Sequence, residues 1–360
     1  MTQIVQNRSE IVFITDARDC NPNGDPLSDG RPRIDPVTEQ AVITDVRLKR
    51  YLRDQLVADG HDIFVRKTGS RTGVSRAQLA LDVLNEIETV DDLEQIPDVE
   101  AAFLANATDV RYFGATLSFN RDPENELHAA IRDVFQRGQY TGPVQFSPAR
   151  SLNAVEMNEE TNAITSVIAP REDATAGGFA LNDFRIKYGI FPFHGLIDEH
   201  GAIDTGLTER DVMRLDTLCW RALKNQSITR SKLGQEPRLY LRVEYNQSGY
   251  HDGGLHDGVS LARETATGES ASETDEPLRK VTDVSLDVTT LVDRLGSQSD
   301  RIETVHLVGD AYLTIGYDGT EVGPASELAT LLTERGVDVH EIDVYEEFTE
   351  TLPEDATDDT

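Results

Sequence analysis

The residues of this chain best suited to chemistry lie near its beginning. Asp16, Asp19, Asp25, Asp29 and Asp35, interrupted by Arg18 and Arg31, could present carboxylate oxygens to Mg²⁺ or Ca²⁺. Their spacing lacks the glutamate that completes an EF-hand, and DCNPNGDP (19–26) is also ordinary turn chemistry, so a solvated loop explains them without a metal. A second group, HDGGLHDG (251–258), carries two His and two Asp that could ligate a transition metal, or simply form a polar surface loop. No G-x-S-x-G, Walker A loop, H-E-x-x-H or Rossmann glycine fingerprint occurs, so no catalytic residue, metal or cofactor is expected. The third group is cationic. Arg47, Lys49 and Arg50 share the polar side of one predicted helix and could grip a sugar-phosphate backbone, although the polar face of an ordinary helix looks the same.

Charge sets a constraint on that last reading. Thirty-four Lys and Arg stand against 65 Asp and Glu, a net charge of −31, the wrong average sign for a nucleic-acid binder. The distribution is uneven: residues 1–150 hold 17 basic and 24 acidic side chains, residues 151–360 hold 17 and 41. Residues 31–76 reverse the sign, with ten basic against six acidic, and 221–242 carry six Lys/Arg and only Glu236. An Arg-rich basic set on an otherwise acidic surface is the balance of proteins kept soluble in very high salt, and points to an extreme halophile. Binding by counterion release weakens steeply in such salt, so hydrogen bonds, bidentate arginines and shape would have to carry recognition.

Cys20 and Cys219 are too few for a disulfide framework or a cysteine-rich zinc site. MTQIVQNRSEIVF lacks the pattern of a signal peptide and no apolar stretch of about 18 residues occurs, so a cytoplasmic protein without a membrane partner is expected.

The elements that must position these groups follow from periodicity. EIVFITDA (10–17) reads as a strand entering a long polar loop that continues to about Ile43. DVRLKRYLRDQLVA (45–58) is a helix with Leu48, Tyr51, Leu52 and Leu56 on one face and Thr44 or Asp45 as its cap. HDIFVRK (61–67) reads as a short strand, followed by a helix capped by Ser75 with Ala77, Leu81, Leu84 and Ile87 in helical register. Short helices and loops follow over 91–140. GPVQFSPARSLNAVEM (142–157) alternates like a strand that Pro148 bends or confines to an edge, and ITSVIAP (164–170) reads as a hairpin arm. FRIKYGIFPFHGLI (184–197) is strongly strand-like, Thr208 caps a helix that aligns Val212, Leu215, Cys219 and Ala222, and RLYLRVEY (238–245) is a further strand. The order β, α, β, β, α, β with a large insertion after the first helix predicts an α+β class, ferredoxin-like and RRM-type. Beyond Asn246 the chain is polar and acidic until strand-like ETVHLVGDAYLTIGY (303–317), a helix near 325–335 and VDVHEIDVY, and it ends in an acidic tail expected to be disordered.

Taken together, NRSEIVFITDARDCNPNGDP, ITDVRLKRYLRDQL, DVRYFG and GPVQFSPARSLN, in this order and spacing, resemble the crRNA-binding backbone family of type I CRISPR Cascade complexes. The nearest subtype is I-B, the RAMP-like Cas-seven/DevR group, and the resemblance covers about residues 8–246. It implies an RRM-like palm with a helical finger insertion and a thumb hairpin, several copies stacking as a filament along one guide. Residues 1–59 and 141–246 would be palm, 60–140 fingers, about 158–182 thumb, and 247–360 an acidic C-terminal region with no counterpart in that scheme.

The same resemblance implies the site. Arg18, Asn21 and Asn23 match the N-x-N-G-D loop, and Thr44, Arg47, Lys49 and Arg50 match the basic first helix that holds guide phosphates without reading sequence. Gln145, Ser147 and Arg150 match the G-P-V-Q-F-S-x-A-R segment, where Gln145 and Ser147 alternate with Val144 and Phe146 and could equally be ordinary polar exposure. Arg111 is either a finger contact with RNA or an ion-pair partner of Asp109. Ile164, Val167, Ile168 and Phe179 are candidates for a thumb wedge beneath a displaced base. The implied partners are crRNA, target DNA through the guide, neighbouring copies of the chain and other Cascade subunits. Two alternatives stay open: a metal-dependent RNA-cleaving subunit of the type III kind using Asp16, Asp19 or Asp25, and a regulator of the DevR type that does not assemble on RNA.

Overall fold

The structure, a computed structural model, describes residues 3–66, 74–119, 125–158, 163–166, 179–229, 231–262 and 277–347, with the side chains of 163–166 and 179–182 left aside. Strand β1 (Ser9–Cys20) is buried along most of its length because both of its faces are covered. Ile11 and Phe13 belong to one hydrophobic cluster, Val12 and Ile14 to another. A strand covered on both sides loses polar alternation, which explains the near-continuous apolar run in its sequence. After the turn-rich segment, β2 (Gln40–Ile43) leads into helix α1 (Asp45–Ala58). Thr44 is its cap: Oγ1 accepts from the Arg47 amide at 3.3 Å, while Asp45 in the first turn favours the positive end of the helix. Leu48, Tyr51, Leu52 and Leu56 are buried as their spacing predicts.

The strand expected over 61–67 is not found. Residues 61–66 are irregular and 67 lies outside the described residues. The amides of Phe64 and Val65 donate to the Asp109 carboxylate at 2.7 and 3.1 Å, so these donors are satisfied without a neighbouring strand. Ser75 caps α2 (Arg76–Leu84), accepting from the Gln78 amide at 3.1 Å; the helix stops before Ile87, which packs from the following turn. Then come α3 (Val90–Glu94), α4 (Val99–Asn106), α5 (Thr108–Phe113), β3 (Gly114–Thr116), α6 (Glu126–Val134) and β4 (Gln139–Thr141). They close around their own core, in which Phe103 meets Phe64 and Phe135 edge-on at 5.4 and 5.2 Å.

The run 142–157 divides at Ser147–Pro148 into β5 (Val144–Phe146) and β6 (Ala149–Ala154), because proline offers no amide to a ladder. β7 (Ala163–Ser166) pairs antiparallel with β8 (Phe179–Asn182), Ile164 opposite Leu181 and Phe179 opposite Ser166; Val167 and Ile168 lie outside the described residues. β9 (Ile186–Ile197), α7 (Glu199–Thr205), α8 (Glu209–Gln226) and β10 (Gln235–Tyr245) follow. Thr208 and Asp211 form a reciprocal capping box on α8, and Val212, Leu215, Cys219 and Ala222 are buried.

The C-terminal part comprises β11 (Ser260–Ala262), β12 (Ser285–Asp287), α9 (Thr289–Gly296), β13 (Ile302–Gly309), β14 (Thr314–Tyr317), β15 (Thr320–Pro324), α10 (Leu328–Glu334) and β16 (Val339–Glu341). The central sheet runs β16-β13-β10-β1-β9-β5; every pairing is antiparallel except β13 with β16. Helices α1 and α8 cover one face, contributing Leu52, Leu56, Leu215 and Leu218 to a cluster with Phe13 and Tyr240. The C-terminal part covers the other: Leu255, Leu286, Leu291 and Leu332 join Val12, Ile14 and Leu241. Its acidity is therefore confined to the outside of a packed layer. Both cysteines are buried and free, and among the described residues no helix is long and apolar enough to cross a membrane.

Candidate nucleic-acid interface

The turn-rich loop is tied to the start of α1. Asn23 Oδ1 accepts from the Thr44 hydroxyl at 3.0 Å and from the Thr44 amide at 3.3 Å. The Asn21 side chain donates to the Gly30 carbonyl at 2.7 Å, and its own oxygen is buried without a partner. Gly24 is required between them, since a Cβ there would lie 2.6 Å from the Gly30 oxygen. Both asparagines are buried, so their amides hold the loop's shape instead of facing solvent. Arg18 is 58% exposed, with Asp19 3.8 Å away.

On α1, the Arg47 guanidinium lies over the Tyr51 ring at 5.6 Å, and Arg50 pairs with Asp54 one turn on. Lys49 Nζ donates to Gln145 Oε1 at 2.7 Å and lies 3.4 Å from Asp45. Burial lowers the Lys49 ammonium pKa; Asp45 opposes the shift and Arg53 adds to it. Gln145 Nε2 donates in turn to the Gly142 carbonyl at 2.8 Å, which orients its oxygen toward Lys49. The Ser147 amide donates to the His194 carbonyl at 2.8 Å. Arg150, also 58% exposed, pairs with Asp35 at 3.1 Å. An open cleft of about 1040 Å³ lies between the loop, the cap of α1 and β6, its walls including Arg31, Arg33, Thr44, Arg150 and His256; Arg47 and Lys49 lie outside its lining and Arg50 lines a separate hollow with Asp54, His61 and Arg66.

The five aspartates do not converge. Asp16 is buried against Tyr188 and Arg238, at 2.9 Å from each; Asp25 accepts from the Leu27 amide and pairs with Arg33; Asp35 accepts from the Val37 amide. Among the described residues no group of three or more His, Cys, Asp or Glu is arranged to hold a metal. HDGGLHDG docks onto the sheet instead. The amides of Gly253 and Leu255 donate to the buried Glu10 carboxylate at 2.9 and 3.1 Å, Asp252 accepts from Arg294 at 2.8 Å, and His256 stacks on His194 at 4.8 Å.

Arg111 does not pair with Asp109. Its guanidinium meets Asp211 at 3.1 Å and the carbonyls of Leu104 and Ala105 at 2.9 and 2.6 Å, while Asp109 takes Arg53 at 2.8 Å. Arg111 therefore clamps α5 to the capping box of α8 and is largely buried in doing so. Conversely, Lys232 is not among the residues that sequence matching singles out, although it lies within the basic stretch 221–242 that composition marks. Its Nζ donates to the carbonyl of Asn21, beside the same loop. Only the fold brings it there.

Two sequence comparisons agree on one family. A sequence profile described as CRISPR-associated protein Cas7 matches residues 7–289. A protein of Haloferax volcanii named CRISPR-associated protein Cas7 is 55% identical over 344 residues, which cover 95% of this chain and 98% of that one. Solved structures titled "CRISPR RNA-guided surveillance complex, pre-nicking" and "CRISPR RNA-guided surveillance complex" contain chains similar over 94% and 91% of this one, at 14% and 12% identity and TM-scores of 0.49 and 0.40. With the profile spanning most of its length and more than half of its residues shared with the Haloferax protein, this chain belongs to the Cas7 family of CRISPR-associated proteins.

Proposed function

We propose that this Cas7 is the non-catalytic, guide-RNA-binding backbone subunit of a cytoplasmic type I-B interference complex, stacking in several copies along one crRNA and presenting it to target DNA. One observation carries the reading: Asn23 to Thr44, Lys49 to Gln145 and Asp35 to Arg150 are three contacts that join the loop, the basic helix and the two strands β5 and β6 of the G-P-V-Q-F-S-x-A-R segment. Arg18, Arg47, Lys49, Arg50 and Arg150 supply the cations. Asn21, Asn23, Thr44, Gln145 and Ser147 position them, and Arg111 supports the finger base from behind.

The order β10-β1-β9-β5, fourth-first-third-second in the β-α-β-β-α-β scheme, supports a ferredoxin-like, RRM-type palm. Its chemistry differs from that of an ordinary RRM. There the open sheet face stacks bases on aromatic side chains; here both faces are buried, so RNA is held at the loop and helix-terminus end of the sheet. Gripping phosphates there leaves the base edges free for Watson–Crick pairing, which reads the target. We assign residues 60–140 to the fingers, about 158–182 to the thumb that reaches a neighbouring copy, with Ile164, Val167, Ile168 and Phe179 as wedge candidates, and the remainder of 1–246 to the palm.

The test is purification of the full chain from a haloarchaeal host at high KCl, followed by analysis of bound nucleic acid. RNA of uniform length co-eluting with oligomers is the expected result; protein free of RNA favours the regulatory reading. Incubating the assembled complex with complementary RNA and Mg²⁺ should give no cleavage. Periodic cleavage abolished by Asp25→Ala would overturn the non-catalytic reading.

A further inference from the structure

We infer that Lys232 and Arg47 form one binding site for a guide-RNA phosphodiester, and that Lys232 must be protonated to fill it. The inference rests on the guide-RNA reading above. In a chain with 65 acidic and 34 basic side chains, an unpaired cation is conspicuous, and most described Arg and Lys residues do have a carboxylate partner. Among the described residues Arg47 and Lys232 have none, as is also true of Arg31, Arg76, Arg210 and Arg301, but Arg47 and Lys232 are set apart by acting on each other. They are nonetheless held together by a chain of contacts. Arg47 lies over the Tyr51 ring at 5.6 Å, the Tyr51 hydroxyl accepts from Gln235 Nε2 at 3.1 Å, and Gln235 Nε2 also donates to the Lys232 carbonyl at 3.0 Å.

The turn that carries Lys232 is pinned to the N-x-N-G-D loop. The amide of Asn21 donates to the Ser231 carbonyl at 2.7 Å, that of Arg18 to the Gly234 carbonyl at 2.8 Å, and Lys232 Nζ caps the Asn21 carbonyl. Gly234 has φ +115° and a Cβ there would lie 2.1 Å from the Arg18 oxygen, so the close approach requires glycine. Two cations are therefore held in one network, each half-buried, near the start of a 14-residue helix. A phosphate oxygen would remove the repulsion and accept from both donors.

Burial, reinforced by the charge of Arg47, depresses the Lys232 pKa to about 8; Cys20 is the other titratable group beside it. The groups facing Lys232 are thus Arg47 from α1 and Cys20 with the Asn21 carbonyl at the end of β1. The Cys20 thiol is pushed up to about 12 by burial and is neutral in this range. An anion bound beside Lys232 raises its pKa, so binding takes up a proton. RNA affinity must then fall as pH rises through about 8.

The experiment titrates the full chain at constant high KCl with a fluorescein-labelled oligouridylate between about pH 7 and about pH 9. Wild type should lose roughly tenfold in affinity over that range, the factor by which a lysine of pKa about 8 loses its protonated fraction. Lys232→Arg should bind as tightly at the lower pH with the slope abolished. Lys232→Gln should be roughly tenfold weaker at the lower pH and flat. Arg47→Gln, by relieving repulsion, should move the midpoint of the fall upward, which a merely structural Arg47 would not do. A slope that persists in Lys232→Arg, or wild-type affinity in Lys232→Gln, overturns the inference and leaves the guide-RNA reading standing. Absence of RNA binding by the wild type overturns both.

Discussion

Lys49 and Gln145, on a helix and a strand far apart in the chain, meet with the ammonium 2.7 Å from the amide oxygen. Because the Gln145 amide is fixed by Gly142 and the ammonium is half-buried, the pair sets where the Lys49 charge sits on the proposed RNA face. Arg47→Ala with Lys49→Ala should lower guide-RNA retention by tenfold or more, on the order of the loss of two charge-assisted contacts. Circular dichroism of the monomer should be unchanged. Unchanged retention with a lower melting temperature would make both residues structural.

The cap of α1 offers a second check. Thr44 serves the helix through its hydroxyl oxygen and the loop through its hydroxyl proton. Thr44→Ala should cost about 1 kcal/mol in denaturant unfolding, whereas Thr44→Ser should cost less because both contacts survive. Retention of RNA should follow the same order.

Asp109 is the joint between α1 and the finger core. Its carboxylate is fully buried and accepts from Arg53 and two main-chain amides. Asp109→Ala should destabilise by about 3–5 kcal/mol, since it strands a largely buried guanidinium and the buried N–H of Phe64. A loss below about 1 kcal/mol in guanidinium melts would show that water replaces the carboxylate.

Glu244 makes stability depend on acid. The hydrogen bond from His306 holds its pKa down to about 2; burial opposes, and Asn7 and Arg242 assist the lowering. A carboxylate with a depressed folded pKa contributes stability that is complete above its unfolded value of about 4.5 and disappears as pH falls toward 2. Glu244→Gln should therefore flatten melting temperature against pH between those limits. An unaltered slope would mean that other carboxylates carry the acid transition.

The helix starts at Thr44, Ser75 and Thr208 and the apolar faces of α1 and α8 were legible because a cap and a 3.6-residue repeat are local properties of the chain. The motifs of the proposed interface were legible for the same reason: each is a short contiguous string. What misled was always a partner far away. Residues 61–67 read as a short strand, yet Phe64 and Val65 give their amides to Asp109, and Arg111 meets Asp211 a hundred residues on instead of its neighbour Asp109.

The sequence by itself determined the family, the caps and apolar faces of α1 and α8 and two basic stretches in an acidic chain, since composition, periodicity and motif spacing reside in the chain. Only the tertiary structure decided that residues after Asn246 seal the second face of the sheet, and that Lys232 comes to Asn21 across the fold beside Arg47. Charge and hydrophobicity say which groups need a partner; the packing of distant elements chooses which partner they receive.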